Sequence, residues 1–209
     1  MIIIKTAEEL DRMRISGRMA AQVRDELARA VRPGVTTGEL DEYARELIGK
    51  LGGRSAFFGY RGFPGHICAS VNDVVVHGIP GEQRIRMGDI VSIDIGVVYD
   101  GFVGDTATTV MVGVTDAEVI RLIRVSEQAL AAGIARAVAG GRLSDISHAI
   151  EQEVVAAGFS VVRDFVGHGI GRSMHEEPQI PNYGPPGKGP RLKAGMTLAI
   201  EPMVNLGAA

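Results

Sequence analysis

The apolar positions of this chain change period several times, and each change marks an element. Thr6-Ala7-Glu8-Glu9 is a capping-box pattern, a hydroxyl followed three residues later by a carboxylate, and it predicts a helix from residue 6 to about 31. Pro33-Gly34 supplies the stop. A second helix is expected over residues 37–49, with Leu40, Tyr43, Leu47 and Ile48 on one face. Strand-like runs follow at 67–76, 90–99 and 102–112, with Asp100-Gly101 as a hairpin turn between the last two. Helical spacing returns at 116 to about 138 and at 143–157, where Gly158 is the stop. Strand-like runs at 160–166 and 197–204 close the chain, and 181–190 reads as a Pro/Gly-rich loop.

Two rounds of helix, helix and strands suggest an internal duplication, with halves at about 6–112 and 115–209 of a single catalytic domain. Ile85 to Asp94 aligns without gaps on Leu192 to Glu201, each copy holding a basic residue, a Gly, and a strand that ends in Ile and an acid. Asp94 and Glu201 are therefore pseudo-symmetry mates. In the first copy the chain turns at Asp100-Gly101 and returns carrying Asp105. The second copy reaches Ala209 before an equivalent strand, so the final hairpin strand is expected to be missing.

Composition narrows the class. A chain of 209 residues supports one substantial core without requiring two domains. A formal charge of -3 gives no electrostatic reason to expect nucleic acid or an anionic membrane as ligand. One cysteine cannot form an internal disulfide, which favours a reducing compartment. The apolar start Met1-Ile2-Ile3-Ile4 is too short for a signal peptide, and no apolar run approaches a membrane span. A cytoplasmic location is the expectation. The 28 glycines gather around histidines and acids, where backbone is expected to approach closely.

Candidate chemistry lies at the ends of the strand-like runs. Asp94 ends Ile90-Val91-Ser92-Ile93, Asp105 follows Gly104, His168 sits in Gly167-His168-Gly169, and Glu201 follows Leu198-Ala199-Ile200. Three carboxylates and an imidazole in apolar settings are costly to bury unpaired, and a shared divalent metal accounts for them together. Taken alone, Asp94 and Asp105 read as turn-stabilising aspartates; the echo of Asp94 at Glu201 shifts the balance. His168 fits a metal ligand better than a phosphate loop, because no G-x-G-x-x-G spacing is present. His77 and His175 suit substrate contact if the metal site is real, and otherwise a core and a loop histidine. His148 reads as structural or solvated, His66 has no special context, and Cys68 reads as a small hydrophobe rather than a nucleophile. Tyr60, Phe63 and Phe57-Phe58 suit either core packing or an apolar pocket.

Taken together, Val75-Val76-His77-Gly78-Ile79-Pro80, the Asp94/Asp105 hairpin, Gly167-His168-Gly169-Ile170-Gly171, Met174-His175-Glu176-Glu177-Pro178-Gln179 and Ile200-Glu201-Pro202-Met203 resemble the type I methionine aminopeptidases. The likeness is nearly collinear from the first helix to Val204. It implies the α+β pita-bread fold, an antiparallel sheet backed by helices with a pseudo-two-fold repeat. It also implies two divalent metal ions (Co, Mn, Fe or Zn) that serve removal of the initiator methionine from nascent polypeptides whose next residue is small. By position, Asp94 would chelate one metal, Asp105 would bridge both, and His168 and Glu201 would hold the second. A bridging hydroxide would be the nucleophile, with Glu201 transferring the proton. His77 and His175 would contact the scissile amide, and Tyr60, Phe63, Cys68 and Met174 would line the methionine pocket. The resemblance further implies a monomer working near the ribosome. Two features depart from the family: a second bridging Glu and a pocket Trp belong to the strand expected to be missing, and Met174 replaces a common aromatic.

Two other readings compete. One is a pita-bread peptidase directed at Xaa-Pro bonds, against which His77-Gly78-Ile79-Pro80 argues. The other is a catalytically silent pita-bread binding protein, against which the four retained ligands argue.

Overall fold

A computed structural model describes residues 1–208, and the chain falls into two compact units. One comprises Glu8–Thr115 with Gly171–Met174; the other comprises Met1–Ala7, Asp116–Ile170 and the chain from His175 on.

In the first unit, helices α1 (Ala7–Ala30) and α2 (Thr37–Lys50) precede strands β1 (Arg54–Ser55), β2 (Cys68–Val71), β3 (Ile90–Tyr99) and β4 (Phe102–Met111), with a 3-10 turn at Tyr60–Gly62. Strand β3 is central: β4 pairs along one edge, while β1 and β2 pair with different stretches of the other. Its alternation decides which face meets the helices. Val91, Ile93, Ile95 and Val97 are fully buried with Met19, Val23 and Leu27 of α1 and Leu40, Ala44 and Ile48 of α2. Ser92, Asp94 and Gly96 therefore point to the opposite face. At the hairpin tip Asp100 (φ 46°) and Gly101 (φ 78°) form a two-residue turn with both φ positive, whose twist suits antiparallel strands.

The strand expected at 67–76 is shorter. It ends at Val71, because Asn72 adopts φ 53° and its side chain bonds Asp89 and the Ile90 N–H. Val74 and Val75 are then exposed, and the chain doubles back so that the Ala69 N–H donates to Gly78 O at 2.9 Å.

In the second unit, α3 (Ala117–Arg136) and α4 (Leu143–Ala156) are followed by β5 (Ser160–Val161), β6 (Gly167–Gly169), β7 (Glu176–Ile180), β8 (Leu198–Ala199) and β9 (Val204–Asn205). Strand β6 lies between β7 and β8, and β5 pairs with β9. Leu122, Val125, Ala129, Ile146, Ile150, Val154 and Ile180 form the core. The single strand expected at 197–204 is broken into β8 and β9, since Pro202 has no N–H to give a ladder. The run expected at 160–166 pairs only at its start. Strand β7 lies where the sequence offered no strand pattern. Among the described residues no helix is long and apolar enough to cross a membrane.

The same local frame occurs in both units. Helices α2 and α4 are each 14 residues long. Thr36 N–H bonds the Glu39 carboxylate, and Arg142 N–H bonds that of Asp145. The Thr37 N–H reaches Gln83 O and the Leu143 N–H reaches Pro190 O, both at 3.0 Å. Arg54 pairs with Val98 in β1–β3, and Ser160 with Asn205 in β5–β9.

Candidate metal centre and side-chain pocket

In the second unit, β6 is three residues long and carries His168 at its middle. Both flanking residues must be Gly. A Cβ on Gly167 would collide with Ala199 O, and one on Gly169 with Glu177 O, so β7 and β8 close on β6 from both sides. The imidazole is thereby buried and fixed. Its Nδ1 lies 2.8 Å from Gly169 O. A carbonyl only accepts, so Nδ1 carries a proton, and in the neutral imidazole Nε2 is left with its lone pair.

That nitrogen lies beside an acid. Glu201, just beyond β8, places Oε1 3.2 Å from His168 Nε2. The contact lacks hydrogen-bond alignment, and Oε1 is buried with no hydrogen-bond partner. Two electron-pair donors held face to face in a buried site suit a cation, and imidazole with carboxylate is a donor set for Mn, Fe, Co or Zn. Each of these two side chains offers one ligand atom. His175, exposed just before β7, lies against His168 with ring centroids 4.2 Å apart and the rings tilted by 45°. Its neighbour Glu176 is tied at 2.5 Å to Lys5 Nζ, and both side chains are almost wholly buried.

In the first unit, Asp94 and Asp105 share one face of the β3–β4 hairpin. Asp94 pairs with Ala107 and Gly96 with Asp105, so the two aspartates are diagonal neighbours about 7–8 Å apart by strand geometry, and somewhat closer at Cβ. Cys68 pairs with Asp94 from β2 on the other side. Burial, then the charges of Asp94 and Asp105, push the Cys68 thiol far above its ordinary range, so it stays protonated and is no nucleophile.

Apolar side chains pack beside these acids. A Cβ on Gly96 would lie 2.6 Å from Met174 Cε and 2.7 Å from Phe57 Cε1, so Gly96 leaves the space those two side chains fill. Phe63 meets Phe57 edge to face at 6.5 Å. Tyr60, half-buried, stands in the strained turn where Arg61 has φ 49°. His77 also has positive φ (59°) and is exposed; Gly78 beside it bonds Ser70 Oγ. Gly96 gives no signal in the sequence and is revealed only by the cross-strand register, while Phe57, expected to serve core packing or an apolar pocket, packs against that position. His66 has more context than expected: it stacks on Phe58 at 4.6 Å, and Asp41 Oδ1 accepts its backbone N–H.

Residues 11–208 match the model of metallopeptidase family M24. The chain is 52% identical to the methionine aminopeptidase of Clostridium perfringens over 208 residues, covering 100% of this chain and 84% of the relative. The chain belongs to the methionine aminopeptidases of family M24. Methionine aminopeptidase 1 of Bacillus subtilis is likewise 52% identical, with the same coverage. The crystal structure of the methionine aminopeptidase from Thermotoga maritima superimposes with a TM-score of 0.96 at 46% identity, covering 99% of this chain and 84% of that one. The architecture is thus the expected α+β pita-bread fold, and the chain is a metal-dependent peptidase by membership.

Proposed function

We propose that this chain removes the initiator methionine from nascent polypeptides whose second residue is small. The observation that carries the reading is the 52% identity to methionine aminopeptidases along its whole length. The orphaned Glu201 carboxylate oxygen facing His168 Nε2 supports its metal dependence.

In this reading Asp94, Asp105, His168 and Glu201 hold two divalent ions within one catalytic domain built from the two repeat halves. Such ions acidify water and draw off the charge that develops on the scissile carbonyl. Glu201 takes part in proton transfer, while His77 and His175 orient the amide and donate to its oxygen. Phe63, Tyr60, Cys68 and Met174 receive the methionine side chain. An unbranched thioether fills such an apolar slot, and β-branched residues are excluded by shape. A monomer acting in the cytoplasm beside the ribosome fits this task.

The test is methionine release from Met-Ala-Ser with added Mn or Co and a chelator control. Chelator-sensitive release that spares Ala-Pro peptides is expected. Hydrolysis of Ala-Pro in preference to Met-Ala-Ser would overturn the reading.

A further inference from the structure

We propose that Asn182 is a positioning residue that sets Glu201 for metal binding; this rests on the metal-centre reading above. Asn182 follows β7 and is completely buried. Its Nδ2 donates to the backbone carbonyl of Glu201 at 2.7 Å. That bond settles the amide orientation, because the flipped amide would set oxygen against oxygen. Its Oδ1 is then left buried with no hydrogen-bond partner.

Among the described residues, the buried side-chain oxygens without hydrogen-bond partners are Asn182 Oδ1 and Glu201 Oε1, and their residues are bonded to each other. A buried amide that satisfies only one of its two ends is a poor choice for stability alone, since an apolar residue of similar volume would avoid the unmatched acceptor. It is a good choice for holding a strand end. At Glu201 the ladder is interrupted: β8 ends at Ala199, and Pro202 offers no N–H. The Glu201 carbonyl therefore takes its bond from a side chain. The base beneath Asn182 is firm, because the Gly184 N–H donates to Glu151 Oε2 at 2.9 Å and His148 Nδ1 lies 3.2 Å from Gly184 O, both from α4. With the backbone of Glu201 pinned, Oε1 is kept at His168 Nε2 rather than turning toward solvent.

The experiment is Co titration of the full chain, followed by the visible absorption of the bound ion, with melting temperatures recorded in chelator. N182L keeps volume and loses the donor. N182H keeps an N–H at the same distance from the backbone. N182L is expected to weaken Co binding roughly ten- to a hundredfold and to alter the spectrum, as loss of groups that orient ligands does. N182H is expected to stay within about threefold of the parent on the same scale. N182L binding Co as the parent does would overturn the proposal, as would N182H losing as much affinity as N182L. If N182L does not fold, N182H decides alone. A parent chain whose Co binding is indifferent to E201Q would overturn the metal-centre reading itself, an outcome distinct from both.

Discussion

His168 Nε2 and Glu201 Oε1 stand 3.2 Å apart with no hydrogen bond joining them. The Gly169 carbonyl holds a proton on Nδ1, so with the imidazole neutral neither Nε2 nor the carboxylate oxygen has a hydrogen to offer. E201Q keeps the shape and supplies an N–H to Nε2. Divalent metal affinity is expected to fall by more than the roughly hundredfold typical of supporting groups. The metal-free protein is expected to melt no lower than the parent. Co titration and calorimetry in chelator check both; a lower apo melting temperature would contradict this account of the pair.

Gly96 is the floor beneath Met174 and Phe57. A methyl there meets Met174 Cε at 2.6 Å, and overpacking of this kind costs about 1–3 kcal/mol. G96A is expected to lose that much stability and to raise KM for methionyl peptides more than it lowers kcat. Shortening the neighbour in M174A/G96A should recover part of the loss, so a double-mutant cycle in urea shows coupling. Additive effects would mean that the two side chains do not share the space.

Lys5 and Glu176 form an ion pair with both side chains almost fully buried. Removing Lys5 takes the counter-charge from a buried carboxylate, at about 3–5 kcal/mol. K5M should therefore be strongly destabilised, while K5M/E176L should regain most of the loss. Urea unfolding of the parent, the single and the double variant tests this, and equal stabilities of single and double variants would refute it.

Glu39 and Asp145 occupy matching helix starts. Backbone and side-chain bonds from Thr36 hold Glu39 below its ordinary 4.5. The Arg142 and Gly187 N–H groups hold Asp145 below its ordinary 3.8. A carboxylate depressed in the folded state stabilises it fully above the unfolded value, and that share is lost as pH falls through the folded value. Stability is expected to be flat at neutral pH and to decline below about pH 4.5, the ordinary value of Glu39. E39Q and D145N should each flatten the acid limb of a pH-melting series while leaving its neutral part unsloped.

Cys68 should behave as a core residue. Burial and the two nearby aspartates keep its thiol protonated. Labelling by an aromatic disulfide reagent at pH 8 is expected to be slow in the folded protein and complete on unfolding. Rapid labelling without unfolding would contradict the burial seen here.

The elements legible in the sequence are those whose signal is local. The β3–β4 hairpin follows from two strand-like runs, the first opening Ile90-Val91-Ser92-Ile93-Asp94, and from Asp100-Gly101 between them, a pair suited to positive φ; the register then puts Asp94 and Asp105 on one face. The long helices follow from period and stop residues. The resemblance carried by the short motifs led to the fold and family. Tertiary structure decided the rest. Strands β6 and β8 have three and two residues, too few to show alternation, and they exist because glycines at 167 and 169 let neighbouring backbone in. That Gly96 lies under Met174, that Lys5 meets Glu176, and that Asn182 holds Glu201 are contacts between residues far apart in sequence. Their energy comes from the partner and from burial, neither of which leaves a local pattern, so only the folded chain reveals them.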